Sequence, residues 1–167
     1  YKSEYTKDVK EFGKKGPNDN SGVLLNYTHS NSMLPVINTK DRIVLEASFY
    51  DYTGGAHGMH GKQHYNYDKR TQKFLTDKDI FIANKNETEI SKVLTQVVKS
   101  KYNLKPNQSL LDVETDNVSF LVKEIPFTSN YKITKTGIIF FYNAYDVTPY
   151  AAGHYEVFVN YSQLKPF

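Results

Sequence analysis

The sequence predicts an α+β fold in which an antiparallel β-sheet packs with one main helix and a shorter N-terminal helix. Three observations carry this. One amphipathic stretch lies at about 87–101, several other runs alternate with period two, and most connections are of hairpin length. In chain order, residues 1–12 place Tyr1, Tyr5, Val9 and Phe12 on one helical face. A breaker run follows, with Gly13, Gly16, Pro17, Asn18, Asp19, Asn20 and Gly22. Next comes a strand signal in which Val23, Leu25, Tyr27 and His29 oppose Leu24, Asn26 and Thr28. A second strand, 42–52, sets Ile43, Leu45, Ala47 and Phe49 against Val44, Glu46, Ser48 and Tyr50. It runs into a glycine break, and a third strand over 62–68 puts Tyr65 and Tyr67 on one face.

The helix over 87–101 rests on Ile90, Val93, Leu94, Val97 and Val98, spaced i, i+3, i+4, i+7 and i+8. Asn86 suits the N-cap and Glu89 the third helical position, a reciprocal capping arrangement. Pro106 bars continuation a few residues later. Residues 107–126 read as a short helix and an irregular run. The tail returns to strands: 130–134, a turn at Lys135-Thr136-Gly137, the apolar run Ile138 to Tyr142, and 155–161. The last of these points Tyr155, Val157, Val159 and Tyr161 one way. The chain divides at the glycine break into an N-terminal part, 1–60, and a C-terminal part, 61–167, expected to form one compact unit.

The 167 residues suffice for one hydrophobic core. With no cysteine, disulfide scaffolds, thiolate zinc sites, thiol redox chemistry and cysteine nucleophiles are excluded. Net charge is +3 with the two signs interspersed, so no basic stripe for nucleic acid is expected. No stretch reaches the roughly 18 apolar residues of a membrane span. The chain opens at Tyr1 without a methionine, which reads as a trimmed chain whose targeting or anchoring segment lies upstream.

His57, His60 and His64 stand at H-x2-H-x3-H, and three imidazoles can hold zinc with a position open to water. That makes a metal-dependent hydrolase the alternative function. Against it, Gly54, Gly55, Gly58 and Gly61 make the segment a loop entering a strand, and His57 is followed by Gly58 rather than the glutamate of helical zinc proteases. No metal and no cofactor is expected on the leading reading. The same segment fails as a phosphate-binding loop, having Ala56 and Gln63 where glycine and serine or threonine are needed. Asp112, Glu114 and Asp116 read as a solvated acidic edge.

The 14 tyrosines carry more information, because they flank two glycine corners. Tyr50, Tyr52, Tyr65 and Tyr67 surround the first; Tyr142, Tyr145, Tyr150 and Tyr155 surround the second. A tyrosine offers a flat apolar face and one hydroxyl, suited to sugar stacking and to protein hot spots. It suits equally a strand residue with its ring inward and its hydroxyl at the rim.

Two motifs resemble a known family. One is Tyr52-Thr53-Gly54-Gly55-Ala56-His57-Gly58 with Tyr65-Asn66-Tyr67-Asp68 and Leu75-Thr76-Asp77. The other is Gly137-Ile138-Ile139-Phe140-Phe141-Tyr142 leading into Val147-Thr148-Pro149-Tyr150-Ala151-Ala152-Gly153 and Tyr161-Ser162-Gln163-Leu164. Together, over roughly residues 20–165, they resemble the bacterial extracytoplasmic domain of unknown function found in the anti-sigma factor RsiV and beside the catalytic domain of the deacetylase PdaC. The resemblance implies an α+β domain of the bacterial cell envelope, periplasmic or on a surface lipoprotein, with a non-catalytic binding role. Its partner would be a lysozyme-like protein or a cell-wall glycan of peptidoglycan type. The chain has no deacetylase metal motif and no sigma-binding segment, so neither activity carries over.

In physical terms, Gly54 and Gly55 permit positive φ after a strand, and Ala56 and Gly58 permit close approach of another segment. Pro149 stiffens the second corner, while Ala151, Ala152 and Gly153 leave room beside Tyr150. The expected binding surface comprises Tyr52, His57, Tyr65, Tyr145, Tyr150 and His154.

Overall fold

A computed structural model describes residues 27–54, 56–81, 87–113, 115 and 118–164, together with Thr6, Lys7 and Lys10. Two antiparallel sheets and one main helix organise the described residues. The first sheet has the order β1 (Thr28–Asn38), β2 (Arg42–Tyr52), β3 (Met59–Asp68), β4 (Lys73–Phe74). The second has the order β5 (Tyr131–Ile133), β6 (Gly137–Tyr142), β7 (Tyr155–Asn160). A single-turn helix α1 (Asp77–Ile80) and the main helix α2 (Glu87–Lys101) connect the sheets, and α3 (Tyr161–Leu164) follows β7. The α+β class and the main helix are as the sequence predicts. The expected helix over 1–12 and strand residues 23–26 fall almost wholly outside the described residues, as does the expected cap Asn86.

The apolar stripe of α2 explains its position. Ile90, Leu94 and Val98 are buried, with Val93 and Val97 packed at the margin. Each fully buried aliphatic side chain contributes about 1.5–3 kcal/mol. They meet the inner faces of β6 and β7, where Ile138, Phe140, Tyr142, Tyr155, Val157 and Val159 are buried in turn. Glu87 and Glu89 in the first turn, and Lys99 and Lys101 in the last, match the helix dipole. Thr95 is a buried polar residue of this helix, and its Oγ1 accepts the Ile125 N–H at 2.8 Å. That bond anchors the irregular 119–126 segment, whose Phe120 and Ile125 complete the core.

Three departures from the sequence reading have physical causes. Strand β1 runs on to Asn38, although Ser30, Asn31, Ser32 and Pro35 obscure its alternation. Being an edge strand it tolerates proline, and its register shifts between Pro35 and Ile37. Strand β3 begins at Met59, so the second half of the histidine segment is strand rather than loop. The ring of Phe49 covers Gly61 inside it, where an added Cβ would lie 2.5 Å from Phe49 Cε1. At the other end Tyr161 does not continue β7. Asn160 Oδ1 accepts the Gln163 N–H at 3.0 Å while Gln163 Oε1 accepts the Asn160 N–H at 3.1 Å, turning the chain into α3.

The two sheets are joined through asparagine side chains. Strand β3 is paired on one side with β2, while β4 reaches only Tyr67 and Asp68 on the other. Further along that free edge, Asn130 Oδ1 accepts the His64 N–H at 3.0 Å and Asn130 Nδ2 donates to Lys62 O at 2.7 Å. Asn143 Oδ1 accepts the Lys62 N–H at 2.7 Å. Reciprocally, Asn66 of β3 serves the open edge of β5, donating to Tyr131 O at 2.8 Å and accepting the Ile133 N–H at 2.9 Å. Carboxamides thus stand in for a strand that neither sheet supplies. The division expected at 60/61 falls inside β3, whose ladder with β2 runs across it.

Candidate functional site

The glycine break after β2 and the turn after β6 come together at one end of the strands. Gly54 takes φ 99, in the region the sequence reading required; Gly55 lies outside the described residues. Gly58 is needed for contact rather than conformation, since a Cβ there would meet the Tyr50 ring at 2.5 Å. The second corner is set by Pro149 at φ −60 and Gly153 at φ 70, ψ −144, which bracket a 3-10 turn at Tyr150–Ala152. Ala151 is exposed on that turn.

Tyr150 is the centre of the arrangement. Its ring stacks on His57 at 4.0 Å between centroids and 18° between planes, and meets His60 edge-on at 5.4 Å. Tyr145 flanks it at 5.7 Å and 32°. The Tyr150 hydroxyl donates to Gly58 O at 2.9 Å, which ties the two corners together. Tyr145 itself has φ 74, a conformation that costs a bulky residue on the order of 1–3 kcal/mol. The turn holds it there: Tyr145 N–H donates to Thr148 O at 2.9 Å, and Asn143 N–H to Asp146 Oδ2 at 2.7 Å. Its ring nevertheless remains 49% exposed.

Of the six expected surface residues, His57, Tyr145 and Tyr150 therefore converge. Tyr65 lies on the opposite face of β3, edge-on to Phe74, beside an open groove of about 450 Å³ bordered by Met33, Ala47 and Phe49. His154 is exposed and stacks at 4.9 Å on Phe141. Tyr52 is half-buried at the end of β2. The sequence reading set His60 aside as a metal ligand and left Tyr50 out of the surface. The signal that finds both is the alternation of β2 and β3, whose register pairs Tyr50 with His60.

The three histidines do not converge as metal ligands. His64 points inward, with its side chain fully buried. Its Nδ1 lies 2.8 Å from Asn130 Oδ1 and its Nε2 3.1 Å from Glu46 Oε2, so both ring nitrogens are engaged within the protein. Among the described residues no group of three or more His, Cys, Asp or Glu is poised to hold a metal ion. Burial works to raise the pKa of Glu46, but hydrogen bonds from Lys62 and His64 outweigh it and keep the carboxyl below its ordinary range. Lys62 Nζ sits 2.8 Å from that carboxylate. This cluster joins β2 and β3. Chemically, the exposed rings offer stacking faces and imidazole nitrogens.

Comparison with known proteins places the fold. A family model described as a protein of unknown function, DUF3298, matches residues 78–162, from α1 into α3. The crystal structure of a DUF3298 member from Bacteroides fragilis is similar with TM-score 0.78 and 24% identity, covering 98% of this chain and 63% of that one. A DUF3298 protein from Pseudomonas aeruginosa is similar with TM-score 0.64 and 23% identity, covering 83% of this chain and 61% of that one. The chain thus spans less than two thirds of either solved structure. No curated protein matches it. With half of its length matched, including the main helix, the second sheet and the Tyr145–Tyr150 corner, the chain belongs to the DUF3298 family.

Proposed function

We propose that this domain is a non-catalytic binding module of the bacterial cell envelope, acting outside the cytoplasmic membrane. Its ligand is a lysozyme-like protein or a peptidoglycan-type glycan, taken up on the cluster of His57, His60, Tyr145 and Tyr150. The observation that carries this reading is Tyr145, an exposed ring held in a costly backbone conformation against the stacked pair Tyr150 and His57. Strain of that kind persists where surrounding structure enforces it, and it concentrates at ligand-clamping positions. The resemblance of both corner motifs to the extracytoplasmic domain of RsiV and PdaC supports the compartment and the ligand classes.

Immobilised protein tested against lysozyme and against soluble muropeptides checks the reading. Tyr145→Ala and His57→Ala are each expected to weaken binding by about 1–2 kcal/mol, roughly 5- to 30-fold. Tyr65→Ala, on the other face of the sheet, leaves it unchanged. Equal affinity across all three variants would overturn the site, and binding to neither ligand class would overturn the function.

A further inference from the structure

At the opposite end of the strands, about 25 Å from the ring cluster along β2, lies a cleft that the proposed function does not use. We propose that it binds a phosphate-bearing ligand. The cleft encloses about 440 Å³ between the β1–β2 turn, Arg70, the β5–β6 turn and Tyr161. Its walls carry the cations Lys40, Arg42, Arg70 and Lys135 against the single carboxylate of Asp41.

The decisive group is Arg42, whose Nε is buried without a hydrogen-bond partner among the described residues. A buried guanidinium N–H left unpaired is costly and rare, and it calls for an acceptor. Arg70 spends Nε and Nη2 on Asp68, at 3.4 and 3.1 Å, and its Nη1 has no partner among the described residues. Asp68 first, and Asp41 after it, raise the Arg70 pKa and hold the charge firmly in place. Lys40 and Lys135 are exposed at the rim, and neither has an ion-pair partner among the described residues. A solvated lysine patch would account for these two residues but not for the buried Nε of Arg42. Guanidinium forks match tetrahedral oxyanions, and lysines supply further charge. The cleft exceeds the size of a bare oxyanion, and Ile37 and Tyr161 offer apolar surface to an organic group attached to it.

Amide NMR titration of the whole chain with inorganic phosphate and with glycerol 1-phosphate, using acetate as ionic control, tests this. Saturable shifts are expected at residues 39–42, 70 and 133–136. Tighter binding of the ester assigns an organic phosphate as the ligand; equal binding assigns the free anion. Arg42→Gln should weaken either probe about tenfold or more. Arg42→Lys should restore little, because it keeps the charge and loses the fork. Lys135→Gln, on an exposed turn, should weaken binding several-fold with the fold intact. The proposal fails if neither phosphate probe saturates by about 10 mM, if acetate gives the same shifts, or if Lys135→Gln and a folded Arg42 variant both bind as the parent does.

Discussion

Removing the Asn66 carboxamide should be among the most damaging single changes to this domain, although the residue contributes nothing to the hydrophobic core. Asn66 is 3% exposed, and its partners Tyr131 and Ile133 are 2% and 4% exposed. Asn66→Ala would strand one buried carbonyl and one buried N–H on the edge of β5, where burial keeps bulk solvent from replacing the lost bonds. At about 1–3 kcal/mol for each unsatisfied group, the expected loss is about 2–6 kcal/mol. For a domain of this size that corresponds to a melting point lower by roughly 5–15 °C. Urea denaturation followed by circular dichroism measures the loss, and hydrogen exchange at the Ile133 amide locates it. Asn66→Asp sharpens the test. The carboxylate can still accept from Ile133 N–H, but it sets a second acceptor against Tyr131 O and buries a charge, so it should cost at least as much at neutral pH. Part of that cost should be recovered on acidification, when a protonated carboxyl can donate. A loss below about 0.5 kcal/mol in Asn66→Ala, or unchanged exchange at Ile133, would refute the reasoning that this side chain closes the sheet edge.

Two other outcomes are expected. Gly137→Ala should destabilise by about 1–3 kcal/mol or more, because its Cβ would lie 2.2 Å from the backbone oxygen of Val159, whereas Gly61→Ala meets the movable ring of Phe49 and should cost less; thermal melts of the pair decide it. Asp68 is held at about 2, from an ordinary 3.8, chiefly by hydrogen bonds from the side chain and backbone of Arg70. A carboxyl with a depressed folded pKa lends stability above its unfolded pKa and loses it as pH falls, so melting points should drop between about pH 4 and pH 2. That drop should be shallower in Asp68→Asn.

Periodicity made legible those elements whose faces differ strongly in polarity. The stripe of α2 and the alternation of β7 each have one face on the core, so burial wrote itself into the order of residues; β2 alternates too, but its one buried residue, Val44, lies on the face opposite Ile43, Leu45, Ala47 and Phe49. Strand β1 was only partly legible because both its faces are largely exposed, and nothing selects apolar residues at every second position. The histidine segment misled for a related reason. H-x2-H-x3-H looks like a ligand set when the residues are read as one unit, but β3 starts at Met59, between the first two of them. His57 stays in the loop, His60 faces the ring cluster, and His64 turns inward to Glu46 and Asn130. Tyrosine count pointed to both glycine corners but could not separate Tyr65 from Tyr150, because that depends on which face of β3 meets the second sheet. The carboxamide bridges were invisible for a stronger reason. Asn66, Asn130 and Asn143 are far apart in sequence, and asparagine in a chain reads as turn or surface.

Those bridges also explain why the ring cluster can hold its shape on loops. Asn143 accepts the Lys62 N–H and donates to Lys62 O at 3.1 Å, two residues from His60 in β3. The same residue's backbone N–H and carbonyl close the turn around Asp146. It therefore fixes the distance between the strand that presents His60 and the turn that presents Tyr145. The Tyr150 hydroxyl on Gly58 O makes the second tie, from the 3-10 corner to the loop that presents His57. With two cross-links between the two loops, the turn that holds Tyr145 at its unfavourable φ is itself fixed against β3. Under the proposed function, a binding surface built this way would meet its ligand already ordered and lose less conformational entropy on association than free loops would. On this reading the glycines and asparagines of the two corners are part of the recognition machinery even though none of them need touch the ligand.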